Sequence, residues 1–327
     1  MSELRQDRLT HDWVIVSPER ALRPHDTSNE AKPCPFCPGN ERPAPSALEE
    51  ITDLNGRWLV RAVPNKFPLL ATPPDSGALA SSMPTGRMLA GGGWHEVIIE
   101  SPAHGATLGS MSVVQARRVL DMYARRYRAL ASRAPFVRQV VLFRNQGARA
   151  GTSLVHPHAQ IVASPVVSPE TRHRVAVEIA YFDEHGCCAQ CQTLEDELVA
   201  QERIVLESPF FVTYAPYASS NPYQLRIAPL RHCPSFLEVR EDELDDLADH
   251  LTRVLAAFLA QLDKPDYNLV VATPPLDIIH RAASHWYVEI LPRLQTPAGF
   301  ELGSRIVVNL KPPEEAAAQL RKAVASN

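Results

Sequence analysis

The sequence predicts an α+β protein of two tandem, related halves, each an antiparallel sheet carrying one long helix. Three observations predict it. A Cys-x-x-Cys pair, a short apolar run, a histidine, a long amphipathic segment, a second apolar run and a second histidine follow one another twice along the chain. The apolar runs have the length of strands and the amphipathic segments the length of helices. The histidines are also evenly spaced: 52 positions separate His104 from His156, and 53 separate His232 from His285. Chance accounts for one such match, but poorly for the same element order with the same four residue types twice.

The first half is assigned to residues 1–168 and opens on Cys34-Pro35-Phe36-Cys37. Val97 to Glu100 is a strand leading through Ser101-Pro102-Ala103 to His104. A helix is expected from about Ser112 to Arg133. Its apolar face holds Val119, Met122, Tyr123, Tyr127 and Leu130, and Ser112 with Gln115 makes a capping box. Arg117, Arg118, Arg125, Arg126 and Arg128 spread over the helix surface and read as a solvated face. Gln139 to Phe143 is the second strand, followed by a glycine-rich loop and His156.

The second half, residues 169–327, repeats the order from Cys188-Ala189-Gln190-Cys191. Gln224 to Ala228 is a strand running on to His232. A helix from about Glu241 to Leu262 aligns Leu244, Leu247, Leu251, Leu255, Phe258 and Leu262, and Tyr267 to Val271 precedes His285. Two segments fall outside the repeat. Thr72 to Gly93, rich in Pro, Gly, Ser and Ala, reads as a mobile surface loop. Pro312 to Val324 starts a helix with proline and two glutamates in its first turn.

Composition narrows the function. The chain is 45% hydrophobic and 21% charged, as a soluble globular protein is, and its net charge of −4 offers no basic excess for nucleic acid or an anionic membrane. No run approaches the roughly 18 apolar residues of a membrane span. The N-terminus lacks the apolar core of a secretory signal, so a cytoplasmic location is expected. In that compartment two Cys-x-x-Cys pairs favour metal over disulfides.

Two thiolates and two imidazoles suffice for tetrahedral zinc. The expected ligands are Cys34, Cys37, His104 and His156 in one site, and Cys188, Cys191, His232 and His285 in the other. Cys187 and Cys233 lie beside proposed ligands of the second site, and either is an alternative ligand or a small buried side chain. The competing reading makes the cysteines redox or core residues and the histidines core side chains. Closed four-ligand sites are structural: they fix the histidine-bearing segments and contribute folding energy.

The run Val155-His156-Pro157-His158-Ala159-Gln160-Ile161-Val162 has strand character, which puts His156, His158 and Gln160 on one face. An anchor at His156 then holds His158 in one rotamer, as a preorganised nucleophile requires. A neutral imidazole attacks phosphorus well and is a good leaving group afterwards, which suits two-step transfer of a nucleotidyl group. Gln160 can donate to a phosphate oxygen, and so can Ser153 or Asn145 from the loop containing Gly147 and Gly151. The competing reading of His158 is a further metal ligand or a surface histidine. In the second half Tyr287 and Glu289 stand where His158 and Gln160 stand, which implies one active half and one structural half.

Taken together, these motifs resemble the galactose-1-phosphate uridylyltransferase family, a branch of the histidine-triad superfamily. The resemblance spans nearly the whole chain. It rests on Trp13-Val14-Ile15-Val16-Ser17-Pro18, Cys34-Pro35-Phe36-Cys37-Pro38-Gly39-Asn40-Glu41, Asn65-Lys66-Phe67-Pro68, His95 to Pro102, Asn145 to Gln160, and Ala298 to Gly303. It implies two histidine-triad-like halves and a ping-pong reaction, in which His158 takes UMP from UDP-glucose and passes it to galactose 1-phosphate. It further implies that Arg20, Arg23 and Asn65 lie near the nucleotide, that Ser153 and Gln160 contact phosphate, and that the protein is a homodimer in which Phe300 and Glu301 complete the partner's site. Two departures matter: His285-Trp286-Tyr287 replaces the His-Trp-His of some members, and Asn65-Lys66 replaces Asn-Asp. Both resemble a relative that moves adenylyl groups from ADP-glucose to phosphate. A reading of another class is a zinc-bearing nucleotide-binding protein without turnover.

Overall fold

The computed structural model describes residues 2–8, 11–18, 34–40, 45–70, 80–83 and 86–326. Five strands come from the first part of the chain: β3 (Glu49–Thr52), β4 (Trp58–Pro64), β7 (Trp94–Ile99), β8 (Gln139–Gln146) and β9 (His158–Ser164). Five come from the second: β10 (Ile204–Glu207), β11 (Phe211–Tyr214), β12 (Leu225–Pro229), β13 (Tyr267–Ala272) and β14 (Tyr287–Pro292). They form one ten-stranded sheet in the order β10-β11-β12-β14-β13-β8-β9-β7-β4-β3, with antiparallel pairing. The two expected sheets are therefore joined edge to edge. The seam is β8 against β13, where Tyr267 pairs with Gln146 and Val270 with Phe143. Each set removes an open edge of the other, which a free sheet would expose to other chains.

The long helices are α1 (Val113–Ala131) and α4 (Glu241–Gln261). Their predicted apolar residues are buried, with Leu262 partly so, and share one core with the sheet. Along β9 the odd residues Ala159, Ile161 and Ala163 enter that core. With a period of two, His158 and Gln160 face away from the helices. Helix α6 (Pro313–Ser326) adds Ala317, Leu320 and Val324 to the same core. Among the described residues, no helix is long and apolar enough to cross a membrane.

Several expectations are corrected. At the start of α1, Ser112 accepts from the Gln115 backbone N–H at 3.2 Å, but the Gln115 amide does not return to close a capping box. It donates instead to the carbonyls of Leu59 and Glu100, at 2.9 and 2.8 Å, tying α1 to two strands. Of the arginines of α1, Arg125 is exposed as expected, but Arg117, Arg126 and Arg128 are not a solvated face. Arg126 is buried and grips Glu96 with two bonds of 2.9 and 2.8 Å, Arg128 caps the carbonyls of Leu237 and Val239, and Arg117 reaches Asp245 and Glu241 of α4. The stretch read as a surface loop contributes β5 (Ala80–Met83) and β6 (Gly86–Ala90). These join β1 (Glu3–Gln6) and β2 (Trp13–Val16) in a four-stranded sheet ordered β2-β1-β6-β5. Three helices among the described residues were not anticipated: α2 (Pro169–His185), with Ser168 as N-cap and proline at its start, α3 (Ala189–Ala200) and the short α5 (Gly299–Ser304).

Candidate active site and metal centres

The metal clusters assemble as the spacings predict. The ligand atoms of Cys34, Cys37, His104 and His156 all lie within 4.8 Å of one another, as do those of Cys188, Cys191, His232 and His285. Cys37 Sγ is 3.4 Å from His104 Nδ1 and 3.6 Å from His156 Nδ1. Cys191 Sγ is 3.4 Å from both His232 Nδ1 and His285 Nδ1. The buried histidine of each cluster is oriented alike. His156 Nε2 donates to the Ser101 carbonyl at 2.7 Å, and His285 Nε2 to the Pro229 carbonyl at 3.1 Å. Both acceptors sit three residues before the other histidine of their cluster. With Nε2–H engaged, each neutral ring turns the Nδ1 lone pair towards the thiols, the tautomer a metal needs.

The electrostatics agree at His156. Burial, the largest influence, lowers the His156 pKa and so favours the neutral ring. At Cys34 burial acts the other way, raising the thiol and so opposing the thiolate that a metal ligand needs. In the other cluster a hydrogen bond between the thiols pulls Cys188 down and pushes Cys191 up, so the pair shares a proton. Cys187 and Cys233 are not members of the cluster: the Cys187 thiol lies 3.9 Å from the Gln192 amide oxygen, and the buried Cys233 thiol 3.6 Å from the Ser235 carbonyl. The donor set fits zinc in both places. The surroundings differ. Cys34 and Cys37 sit in a turn, whereas Cys188 caps α3 and Cys191 lies in its first turn.

His158 is buried, at 5% exposure, and belongs to neither cluster, which removes both competing readings of it. It begins β9, while His156 lies in the irregular lead-in rather than in a continuous strand. The His158 Nδ1 donates to the backbone carbonyl of His156 at 2.8 Å. A carbonyl can only accept, so the proton is on Nδ1 and the lone pair of the neutral ring is on Nε2. Phe36, inside the first Cys-x-x-Cys, meets both rings edge-on, with centroids 6.0 Å from His156 and 5.5 Å from His158. The metal cluster and the His158 ring are thus braced by one aromatic side chain.

A cavity of about 150 Å³ opens beside this ring, lined by Arg144, Asn145, Gly147, Ser153, His156 and His158 among others. The loop beneath it is held from the neighbouring strand. Asn145 Oδ1 accepts from Asn268 at 2.8 Å, which leaves its amide nitrogen as the donor, and Asn268 also binds the Ala150 carbonyl at 2.9 Å. Asp266 accepts from the Arg149 N–H at 2.6 Å. Gly147 has φ +86°, and a Cβ there would lie 1.7 Å from the Asp266 carboxylate, so only glycine fits. Under the site, the guanidinium of Arg144 binds both oxygens of the fully buried Glu100, at 3.1 and 2.9 Å, and the Tyr267 hydroxyl at 3.2 Å.

Other predicted residues are placed differently. Gln160 and Asn65 lie together beyond the cavity, each 3.0 Å from Nε2 of His95, a residue to which the sequence assigned no role. Gly151, at φ +84°, shapes the loop without lining the cavity. Phe300 and Glu301 are on α5 (Gly299–Ser304), with Phe300 60% exposed and Glu301 binding the Ala298 N–H at 2.8 Å; neither lines the cavity of its own chain. Arg20 and Arg23 lie outside the described residues.

Fold and site together define a class of α+β protein with ten strands in one sheet, in which one half sets a buried histidine beside a cavity, with its Nδ1–H bound to the backbone and its lone pair on Nε2. The comparisons with known proteins specify the family. Residues 1–168 match the model described as galactose-1-phosphate uridyl transferase, N-terminal domain, and residues 87–326 match a domain of unknown function, DUF4921. The chain belongs to the galactose-1-phosphate uridyl transferase family. It is 33% identical to an ADP-glucose phosphorylase of Arabidopsis thaliana over 98% of this chain and 92% of that one. It is 30% identical to a galactose-1-phosphate uridylyltransferase of Thermotoga maritima over 98% of each. Among solved structures, an Arabidopsis thaliana ADP-glucose phosphorylase with bound ADP-glucose superposes with a TM-score of 0.78 at 31% identity, covering 98% of each chain.

Proposed function

We propose that this chain moves UMP from UDP-glucose to galactose 1-phosphate through a uridylyl group carried on His158. One observation carries the reading: the His158 Nδ1–H is bound to the His156 carbonyl, which places the lone pair on Nε2 beside the cavity. In the first step Nε2 bonds to the α-phosphorus, the bond from that phosphorus to the bridging oxygen breaks, and glucose 1-phosphate leaves with the electron pair. The imidazole gains positive charge, and the Nδ1–H to carbonyl bond strengthens as it does so. In the second step a phosphate oxygen of galactose 1-phosphate attacks the same phosphorus and the Nε2–P bond breaks. The amides of Asn145 and Gln160 and the hydroxyl of Ser153 supply donors to the phosphate oxygens, and the family resemblance assigns Asn65, Gly151, Arg20 and Arg23 to substrate binding. Zinc held by the two Cys₂His₂ sets supplies folding energy and fixes the lead-in to His158.

A second reading keeps His158 and exchanges the substrates for ADP-glucose and inorganic phosphate. The 33% identity to an ADP-glucose phosphorylase favours it, as does Tyr287 after His285-Trp286. The exposed Phe300 supports a homodimer in which α5 reaches a partner's site, and the chain's composition supports a cytoplasmic location. Incubation with UDP-glucose or ADP-glucose labelled at the α-phosphate separates the two readings. An acid-labile adduct on His158 from UDP-glucose, discharged by galactose 1-phosphate, is expected. An adduct from ADP-glucose alone establishes the second reading, and no adduct from either overturns both.

A further inference from the structure

The buried imidazole of His95, which the reaction as described does not use, fixes which end of the Gln160 amide is available to substrate. The backbone N–H of Leu69 donates to His95 Nδ1 at 3.0 Å. A backbone amide can only donate, so Nδ1 carries a lone pair and the neutral ring has its proton on Nε2. That Nε2 lies 3.0 Å from Gln160 Oε1 and donates to it. Both side chains are buried, at 4% exposure each. The Asn65 amide nitrogen is also 3.0 Å from Nε2, but its oxygen is held by the Phe67 N–H at 2.8 Å, so it meets Nε2 as donor to donor and adds no bond. The Gln160 oxygen is therefore engaged, and its NH₂ is the end that can reach an anion.

The second half carries the same device in another residue. Gln160 pairs with Val97 across the sheet, two residues after His95; Glu289 pairs with Arg226, two residues after Gln224. Gln224 accepts backbone N–H groups of Ser220 and Asn221 on its oxygen, at 2.6 and 3.2 Å, and donates from Nε2 to Glu289 Oε1 at 2.7 Å. In each half, then, a backbone N–H orients a side chain whose opposite end donates to the residue two after the histidine or tyrosine position. From this recurrence we infer that His95 is a positioning residue for transfer. It holds Gln160 with its amide N–H groups towards the α-phosphate oxygens, and a glutamine at position 95 does the same work.

The inference rests on the His158 reading, and the test keeps the two apart. Rapid-quench measurement of His158 nucleotidylation with labelled nucleotide sugar is made on the wild type, His95→Leu and His95→Gln, with nucleotide-sugar affinity measured separately on the discharged proteins. His95→Leu is expected to slow adduct formation by about 10²-fold, the scale of losing one preorganised donor, with little change in affinity. His95→Gln is expected to recover most of the rate. A Leu variant as fast as the wild type, or a Gln variant no faster than Leu, overturns the inference while the adduct still stands. A wild type that forms no adduct removes the His158 reading and this inference with it. If His95→Leu does not fold, the ring nitrogen resonances of the wild type decide: a proton on Nε2 supports the assignment and a proton on Nδ1 overturns it.

Discussion

The two halves hold their Cys₂His₂ clusters in matching ways and the residues just beyond them in opposite ways. Each buried ligand histidine donates Nε2–H to the carbonyl three residues before its companion histidine. Two residues further on, the first half has His158 beside a cavity, whereas the second has Tyr287 packed under two guanidinium groups, Arg226 and Arg174, at 4.7 and 5.8 Å. There Glu289 is taken up by Arg226 and Gln224, at 3.0 and 2.7 Å. Burial pushes the Tyr287 hydroxyl up to about 12 against the opposing pull of the Arg226 charge, so it stays protonated at neutral pH. The difference teaches that the Cys₂His₂ frame and the cavity beside it are separable properties of one structural unit. The second half keeps the frame and closes the site with an ion pair.

The largest effect is expected from exchanging the reactive positions. His158→Ala should reduce transfer by at least about 10³-fold, the scale of losing a nucleophile, at unchanged melting temperature. Adding Tyr287→His to it should restore nothing, because Arg226, Glu289 and Gln224 still fill the site; a labelled second half would break the comparison. Next, Glu100→Gln should destabilise by about 3–5 kcal/mol in denaturant unfolding, since it leaves the buried Arg144 charge without its partner. Among the described residues of the second half, Val271, paired with Val288, stands where Arg144 pairs with Ala159, and it carries no charge. The metal clusters should then differ in consequence. Cys34→Ser and Cys188→Ser should each lower bound zinc and melting temperature, but only Cys34→Ser should also slow adduct formation, because Phe36 braces His158 from that turn. Equal losses of rate in both would show the clusters to be functionally alike.

The smallest effect belongs to the second half alone. His250 is fully buried between Thr213 and Ser208, at 2.6 and 2.7 Å, and burial lowers its pKa to about 4. Its unfolded value is near 6.5. Below that, the unfolded chain takes up a proton that the folded one refuses. Stability is therefore whole above about pH 6.5 and falls as the pH drops towards 4. His250→Asn should lose less melting temperature than the wild type between pH 7 and pH 5.

Much of this was legible from the chain. Both Cys₂His₂ sets, the strands before them and the apolar faces of α1 and α4 follow from spacing, because ligand chemistry and period are local signals. The rest was not local. Arg126 read as solvated because its partners Glu96 and Glu49 are remote in sequence. Helix α2 buries only Thr171 and so shows no apolar stripe, although Ser168 followed by Pro169 was a usable start signal. The role of His95 depends on which atom faces which neighbour, and no spacing encodes that.

The seam between β8 and β13 couples the second half to the cavity of the first. Asn268 and Asp266, both on the far side of that seam, are the clamps on the glycine loop from Asn145 to Ala150. The second half thus acts as the jig in which the loop of the first is set. Cutting the chain between its halves would leave His158 and its metal ligands present but the phosphate-binding backbone without a mould.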